Sequence, residues 1–273
     1  TNGVQSDNTY GVSIITSKAG NMVIDNCTFT DNKGDLETIC GGGTAYSNYG
    51  ITRVTNSKFI NNVVSKSILG LAWANGISMS NNVFIGNTAP NGICEDNMAD
   101  SWTFSNNVII GNSKNIITID SYAESVVNNY WGSNTASSDE CIDGYGDYGS
   151  FSIAKMTATY PEDDPLEEAK EIEISFDKTL PEFNVDVSAV PSNAVLNTTN
   201  VTLGGGKTAR ILITPKAEGQ STFTLGSNLK TPLDTHVFNV AGEPKERVNI
   251  EWVNETTEMY QGDNEVLSVI VKN

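Results

Sequence analysis

The stretches IDNCTFTDN (24–32), VTNSKFINN (54–62), MSNNVFIGN (79–87), FSNNVIIGN (104–112) and VVNNYWGSN (126–134) decide the fold. Each opens on an apolar residue, places Asn two positions later and closes on Asn. A second apolar column runs through their middles: Phe29, Phe59, Phe84, Ile109 and Trp131. Successive stretches are offset by 30, 25, 25 and 22 residues. The core keeps its length while the rest of each unit varies, so the core must stack in register and the remainder carries insertions. A right-handed parallel β-helix behaves this way, adding about 4.8 Å of height per coil. Like side chains then superpose. The columns Asn26, Asn56, Asn81, Asn106, Asn128 and Asn32, Asn62, Asn87, Asn112, Asn134 are expected to form amide ladders that leave no buried polar group unpaired. Asn also tolerates the left-handed backbone of a tight turn.

Working outward, a shorter strand is expected before each core, at 12–14, 43–45, 69–71, 93–95 and 117–119, with a sixth coil beginning near 141–142. Five to six coils make a rod on the order of 25 Å long. A leucine-rich repeat would need a Leu consensus that is missing, and a propeller would need longer blades.

The character changes after Ile153. The acidic, Pro-containing YPEDDPLEEAKE (160–171) reads as a linker or as a short helix that caps the β-helix. Alternating runs then follow at intervals of about ten residues, the pattern of a β-sandwich. The fold class expected is all-β: a parallel β-helix over 1–160, a sandwich over 161–243, and in 244–273 two further strands around a QGDN turn.

Of 273 residues, 33 are acidic and 16 basic, a formal net charge of −17. With no Lys/Arg cluster, nucleic acid is excluded as a partner. No signal peptide, membrane span or lipidation motif is present, and no membrane insertion of this segment is expected. Both ends read as cut from a longer chain. Cys27, Cys40, Cys94 and Cys141 lack C-x-x-C spacing and a nearby His, which argues against zinc. Disulfides and free thiols both fit.

Asn-rich coils ending in NNYWGSN (128–134) resemble the adhesin-like surface proteins of methanogenic archaea. In that family a β-helix region often closes on an N-x-W-G-S-N motif and Ig-like repeats follow. The stretch TNVTLGGGKTARILITPKAEGQSTFTL (199–225) resembles those Ig-like repeats. The resemblance covers essentially the whole chain. It implies an Ig-like sandwich over 161–243 and either a further Ig-like repeat or an extra β-hairpin over 244–273. It also implies a monomeric, extracellular, cell-surface protein that attaches to a glycan or protein of another cell.

Catalysis is not expected. The one His, His236, lies in the sandwich region, and Arg53 is the only Arg in the first 160 residues. A polysaccharide lyase or glycosidase is the alternative from another class, and a passive wall component is a third. Asp96 and Asp120, after the first strands of neighbouring coils, are expected to stack as solvated carboxylates, a calcium site or an acid/base pair. Asp31, Asp35 and Glu37 form a second oxygen-rich cluster, expected as a solvated loop or a calcium site, without the full spacing of a calcium loop; no other cofactor is expected. Tyr46, Tyr49 and Trp73 lie in the variable parts of adjacent coils, where rings stack on sugars or pack over loops. Asn197, Asn200 and Asn254 are glycosylation sequons near turns.

Overall fold

The computed structural model of the chain describes residues 4–5, 12–17, 21–42, 51–72, 76–97, 101–120, 123–144, 148–241, 249–252 and 269–272. Among these residues it is all-β apart from the single turn of helix Ser138–Cys141. The N-terminal part is a parallel β-solenoid with three sheets. In sheet 1, Met22–Asp25, Ile51–Thr55, Gly76–Ser80, Trp102–Ser105, Ala123–Asn129 and Phe151–Ile153 stack in chain order. In sheet 2 the strands are Thr28–Thr30, Lys58–Ile60, Val83–Ile85 and Val108–Ile110. Sheet 3 holds Val12–Ser17, Thr38–Gly42, Leu69–Ala72, Cys94–Asn97, Ile117–Thr118 and Ile142–Asp143, with Val4–Gln5 antiparallel at its edge.

The expected apolar columns are in register. Ile24, Val54, Met79, Phe104 and Val126 are consecutive partners, as are Phe29, Phe59, Phe84 and Ile109. The Phe29, Phe59 and Phe84 rings stack at centroid spacings of 5.0 Å, so the rise of one coil is also the contact distance of two rings. The strand expected at 43–45 lies instead at Thr38–Gly42, and 43–45 fall outside the described residues. The apolar residues decide its place: Ile39 and Cys40 are fully buried, and Cys40 is aligned with Ile15 and Leu69.

Two corners per coil require a left-handed residue. Asn26, Asn56, Asn81, Asn106 and Asn128 form the first, with φ between 51° and 56°. The second is made by Asp31, Asn61, Gly86 and Gly111. At Gly86, φ is +66°, and an added Cβ would collide with the Asn61 side-chain oxygen. Gly86→Ala is therefore expected to lower stability by about 1–2 kcal/mol, from the left-handed penalty plus the collision, read as a shift in urea midpoint with unchanged slope.

The C-terminal part has two four-stranded antiparallel sheets. One is ordered Met156–Thr159, Lys170–Phe176, Ala209–Pro215, Ala194–Leu196; the other Asn200–Leu203, Phe183–Val190, Glu218–Leu225, Asp234–Ala241. Residues of both sheets share one buried cluster, including Ile172, Ile174, Ile211, Val185, Phe223 and Phe238. Met156–Thr159, placed at the end of the β-helix by a boundary at 160, pairs with Lys170–Phe176, so the solenoid ends at Phe151–Ile153. The segment 160–171 is not a free linker. Leu166 is fully buried and bridges Val240, donating to the Asn239 carbonyl and accepting from Ala241 N–H. Tyr160 stacks on His236 at 4.0 Å and donates to Asp234 at 2.8 Å. The segment thus covers the edge strand Asp234–Ala241, which would otherwise present unpaired backbone groups to another chain. Within 244–273, Asn249–Trp252 and Val269–Lys272 pair antiparallel as a two-stranded sheet.

Candidate functional site

The stacked coils are held by side-chain amides as well as backbone. In the second Asn column, Asn87 is 1% exposed. Its Oδ1 accepts from Asn62 N (3.0 Å) and Asn62 Nδ2 (2.9 Å), while its Nδ2 donates to Asn112 Oδ1 (2.8 Å) and to the Phe59 carbonyl (2.9 Å). One amide therefore ties three coils together. Asn32, Asn62, Asn87 and Asn112 form this ladder as expected, but it ends on Asn115, not Asn134. The first column also differs from expectation. Asn26, Asn56, Asn81, Asn106 and Asn128 make the corners, and the buried ladder runs one residue later through Ser57, Asn82, Asn107 and Asn129. A left-handed residue turns the chain, so it is the following side chain that enters the interior.

Asn134 is free for another task because the last core joins the solenoid to the C-terminal unit. Its Oδ1 accepts from Met156 N and its Nδ2 donates to Met156 O, both at 2.7 Å, mimicking a strand pair. Trp131 turns inward, 4% exposed, and stacks on Phe104 at 5.8 Å. Tyr130 turns outward, 1% exposed, and meets Phe176 edge-on at 4.9 Å. Burial there holds the Tyr130 phenol well above its ordinary pKa. The outward face of sheet 2 continues this contact. Val83, Ile85, Val108 and Ile110 are buried in the same cluster as the C-terminal core. Each such side chain contributes about 1.5–3 kcal/mol when covered, so the two units form one body around continuous apolar packing.

The sequence held a signal for this contact that the repeat alignment overlooked. The outward positions of sheet 2 read Thr28/Thr30, Lys58/Ile60, Val83/Ile85 and Val108/Ile110 along the rod. They become apolar toward the end that meets the C-terminal unit, and exposure falls in step.

Where that contact ends, a groove of about 440 Å³ opens between the units. Asn56, Lys58, Asn81 and Val83 line it from the solenoid, and residues 179–182 from the C-terminal unit. Glu182 is held by Lys207 at 3.0 Å, which keeps its carboxyl below the usual range, with Lys58 adding to the effect. Asn56 Nδ2 bonds Asp25 Oδ1 at 2.8 Å, and the Thr55 hydroxyl bonds the same oxygen at 2.6 Å. These bonds, Thr55 first, depress the Asp25 pKa.

The other candidate residues are dispersed. Asp31 sits at an exposed corner and accepts from Thr30 Oγ1 at 3.1 Å; Asp35 is exposed; Glu37 pairs with Lys66 at 2.7 Å in the next coil. Asp96 and Asp120 do not share a rung. Cys94 is level with Ile117 and Glu95 with Thr118, which puts Asp96 level with Ile119. Among the described residues no group of three His, Cys, Asp or Glu side chains converges. Tyr46, Tyr49, Trp73 and Asn254 lie outside the described residues. Asn197 and Asn200 are exposed, but their amides are engaged: Asn197 Oδ1 accepts from Leu212 N, and Asn200 Nδ2 donates to Asp186. Among the described residues, no helix is long and apolar enough to cross a membrane.

All four cysteines are free thiols. Cys40 and Cys94 occupy one column with Leu69 between them, two coil rises or about 9.6 Å apart, beyond disulfide reach. Burial drives the Cys40 thiol far up and pushes Cys141 up to about 12. A thiol reagent is expected to label half-buried Cys27 in the native protein, and Cys40, Cys94 and Cys141 only as denaturant unfolds it. Mass mapping of the labelled peptides checks this.

No family model, curated protein or solved structure matches the chain.

Proposed function

We propose that the protein is a non-catalytic, extracellular stalk of the adhesin-like kind, in which a right-handed β-helix presents a surface for attachment and an Ig-like unit carries it. The observation behind this reading is the continuous junction through Tyr130, Asn134 and the buried face of sheet 2. A stalk must transmit load, and a flexible tether between the units would not. The hand is the one nearly all parallel crossovers adopt. The Ig-like assignment is supported by strand order. In chain order the eight C-terminal strands place the first, second, sixth and fourth in one sheet and the third, seventh and eighth in the other, with the fifth added at an edge. That is the ABED and CFG arrangement of a constant-type Ig domain plus one extra strand.

The test is attachment of beads coated with the chain to intact cells and to immobilised polysaccharides, with soluble products assayed in the same wells. Retention without product supports the stalk; released oligosaccharide replaces it with a glycan-cleaving enzyme; neither result leaves a passive wall component as the correct reading.

A further inference from the structure

We propose that the groove between the two units binds a carboxylated sugar, a uronic acid within a short glycan, with the Lys58 ammonium taking the carboxylate. The inference rests on the stalk reading for its biological use, while the site rests on its own geometry. A volume of about 440 Å³ falls in the range of small-ligand clefts, roughly 300–1,000 Å³. Its walls are mixed in the way a sugar requires. Half-buried Pro181 supplies apolar surface for the C–H face of a ring, with the buried Val83 and Leu180 behind it. The Asn81 side-chain amide and the Thr179 hydroxyl line the groove with no hydrogen bond to any described residue, so donors and acceptors are available to sugar hydroxyls.

The charge selects the ligand. Lys58 takes part in no ion pair among the described residues, although acidic residues outnumber basic ones two to one. Glu182, the groove's carboxylate, is already bonded to Lys207. One available ammonium beside a committed ion pair suits a single negative charge. A phosphate dianion would meet Glu182 with too little positive charge to offset it. A neutral sugar would leave the ammonium without a partner. Exposed charge pairing of this kind is screened by salt, so binding should weaken as ionic strength rises.

The experiment is calorimetric titration of the whole chain with digalacturonate, with neutral galactobiose and with inorganic phosphate. The first should bind in the millimolar range or tighter, and the other two should not. Lys58→Gln should weaken digalacturonate binding about tenfold or more, the scale of a hydrogen bond to a charged group, while Lys58→Arg retains most of it. Lys114→Gln, a change at an exposed site outside the groove, should leave it unchanged, and thermal melts should verify that all three variants fold. Absence of digalacturonate binding, equal binding of galactobiose or phosphate, or indifference to Lys58→Gln would each overturn the proposal. The bead assay separates this from the stalk reading: digalacturonate binding with no cell attachment sinks the stalk and leaves the groove, whereas attachment by a chain that does not bind digalacturonate sinks the groove and leaves the stalk.

Discussion

Asn87→Ala is expected to destabilise the solenoid by about 3–5 kcal/mol, among the largest effects of any single truncation in the chain. The Asn87 side chain makes four hydrogen bonds to two neighbouring coils at 2.8–3.0 Å. Removing it strips the Asn62 backbone N–H and the Asn112 and Phe59 oxygens of a partner in a site that is 1% exposed. Each bond is worth about 1 kcal/mol net, and each buried group left unpaired costs about 1–3 kcal/mol. Asn87→Asp should also be damaging, because an ionised carboxylate accepts but does not donate. Adjacent positions offer an internal contrast. Asn82, inside the other ladder, should behave like Asn87. Asn81 occupies a left-handed corner at φ 56° with its amide outside the ladder, and Asn81→Ala should cost only about 1–2 kcal/mol. Urea titrations of the three Ala variants check this order, and equal losses at Asn81 and Asn82 would show that the interior ladder has been misassigned.

Tyr130→Ala is expected to cost about 3–5 kcal/mol, the range for removing a large buried aromatic ring, and to change the form of unfolding. Tyr130 contacts Phe176 and Met156 of the C-terminal unit while its backbone bonds Asn107 and Ile109 of the preceding coil. It is one of few side chains at which both cores meet. With it intact, the shared packing should make the solenoid and the C-terminal unit unfold as one transition. With it removed, scanning calorimetry should resolve two. Tyr130→Phe keeps the ring contact and should retain a single transition. Asn134→Ala, which removes both 2.7 Å bonds to Met156, should move the protein the same way by a smaller amount. One transition in Tyr130→Ala at the wild-type temperature would mean that the junction does not couple the units.

The groove shows why site residues are harder to read than cores. Lys58 and Glu182 are 124 positions apart in sequence, and nothing local in either marks a shared cleft. They face one another only because sheet 2 meets the C-terminal unit along Val83 to Ile110. Asp31, Asp35 and Glu37 are close in the chain, but Asp31 sits at a left-handed corner, and Glu37 is drawn to Lys66 one coil away. Similarly, 160–171 has the composition of a linker, yet Tyr160 and Leu166 dock on a strand more than seventy residues further on.

The sequence by itself determined the solenoid. Its period, its two apolar columns and the Asn62–Asn87–Asn112 ladder are consequences of stacking equivalent residues, and stacking is a relation that repeats along the chain. Tertiary structure alone decided which Asn of each pair turns inward, where the solenoid ends and what it joins. Those outcomes depend on one-time contacts between residues far apart in sequence, at Asn134 with Met156 and Tyr130 with Phe176. A contact made once leaves no period to read, and its energy exists only when both partners have been brought to the same place.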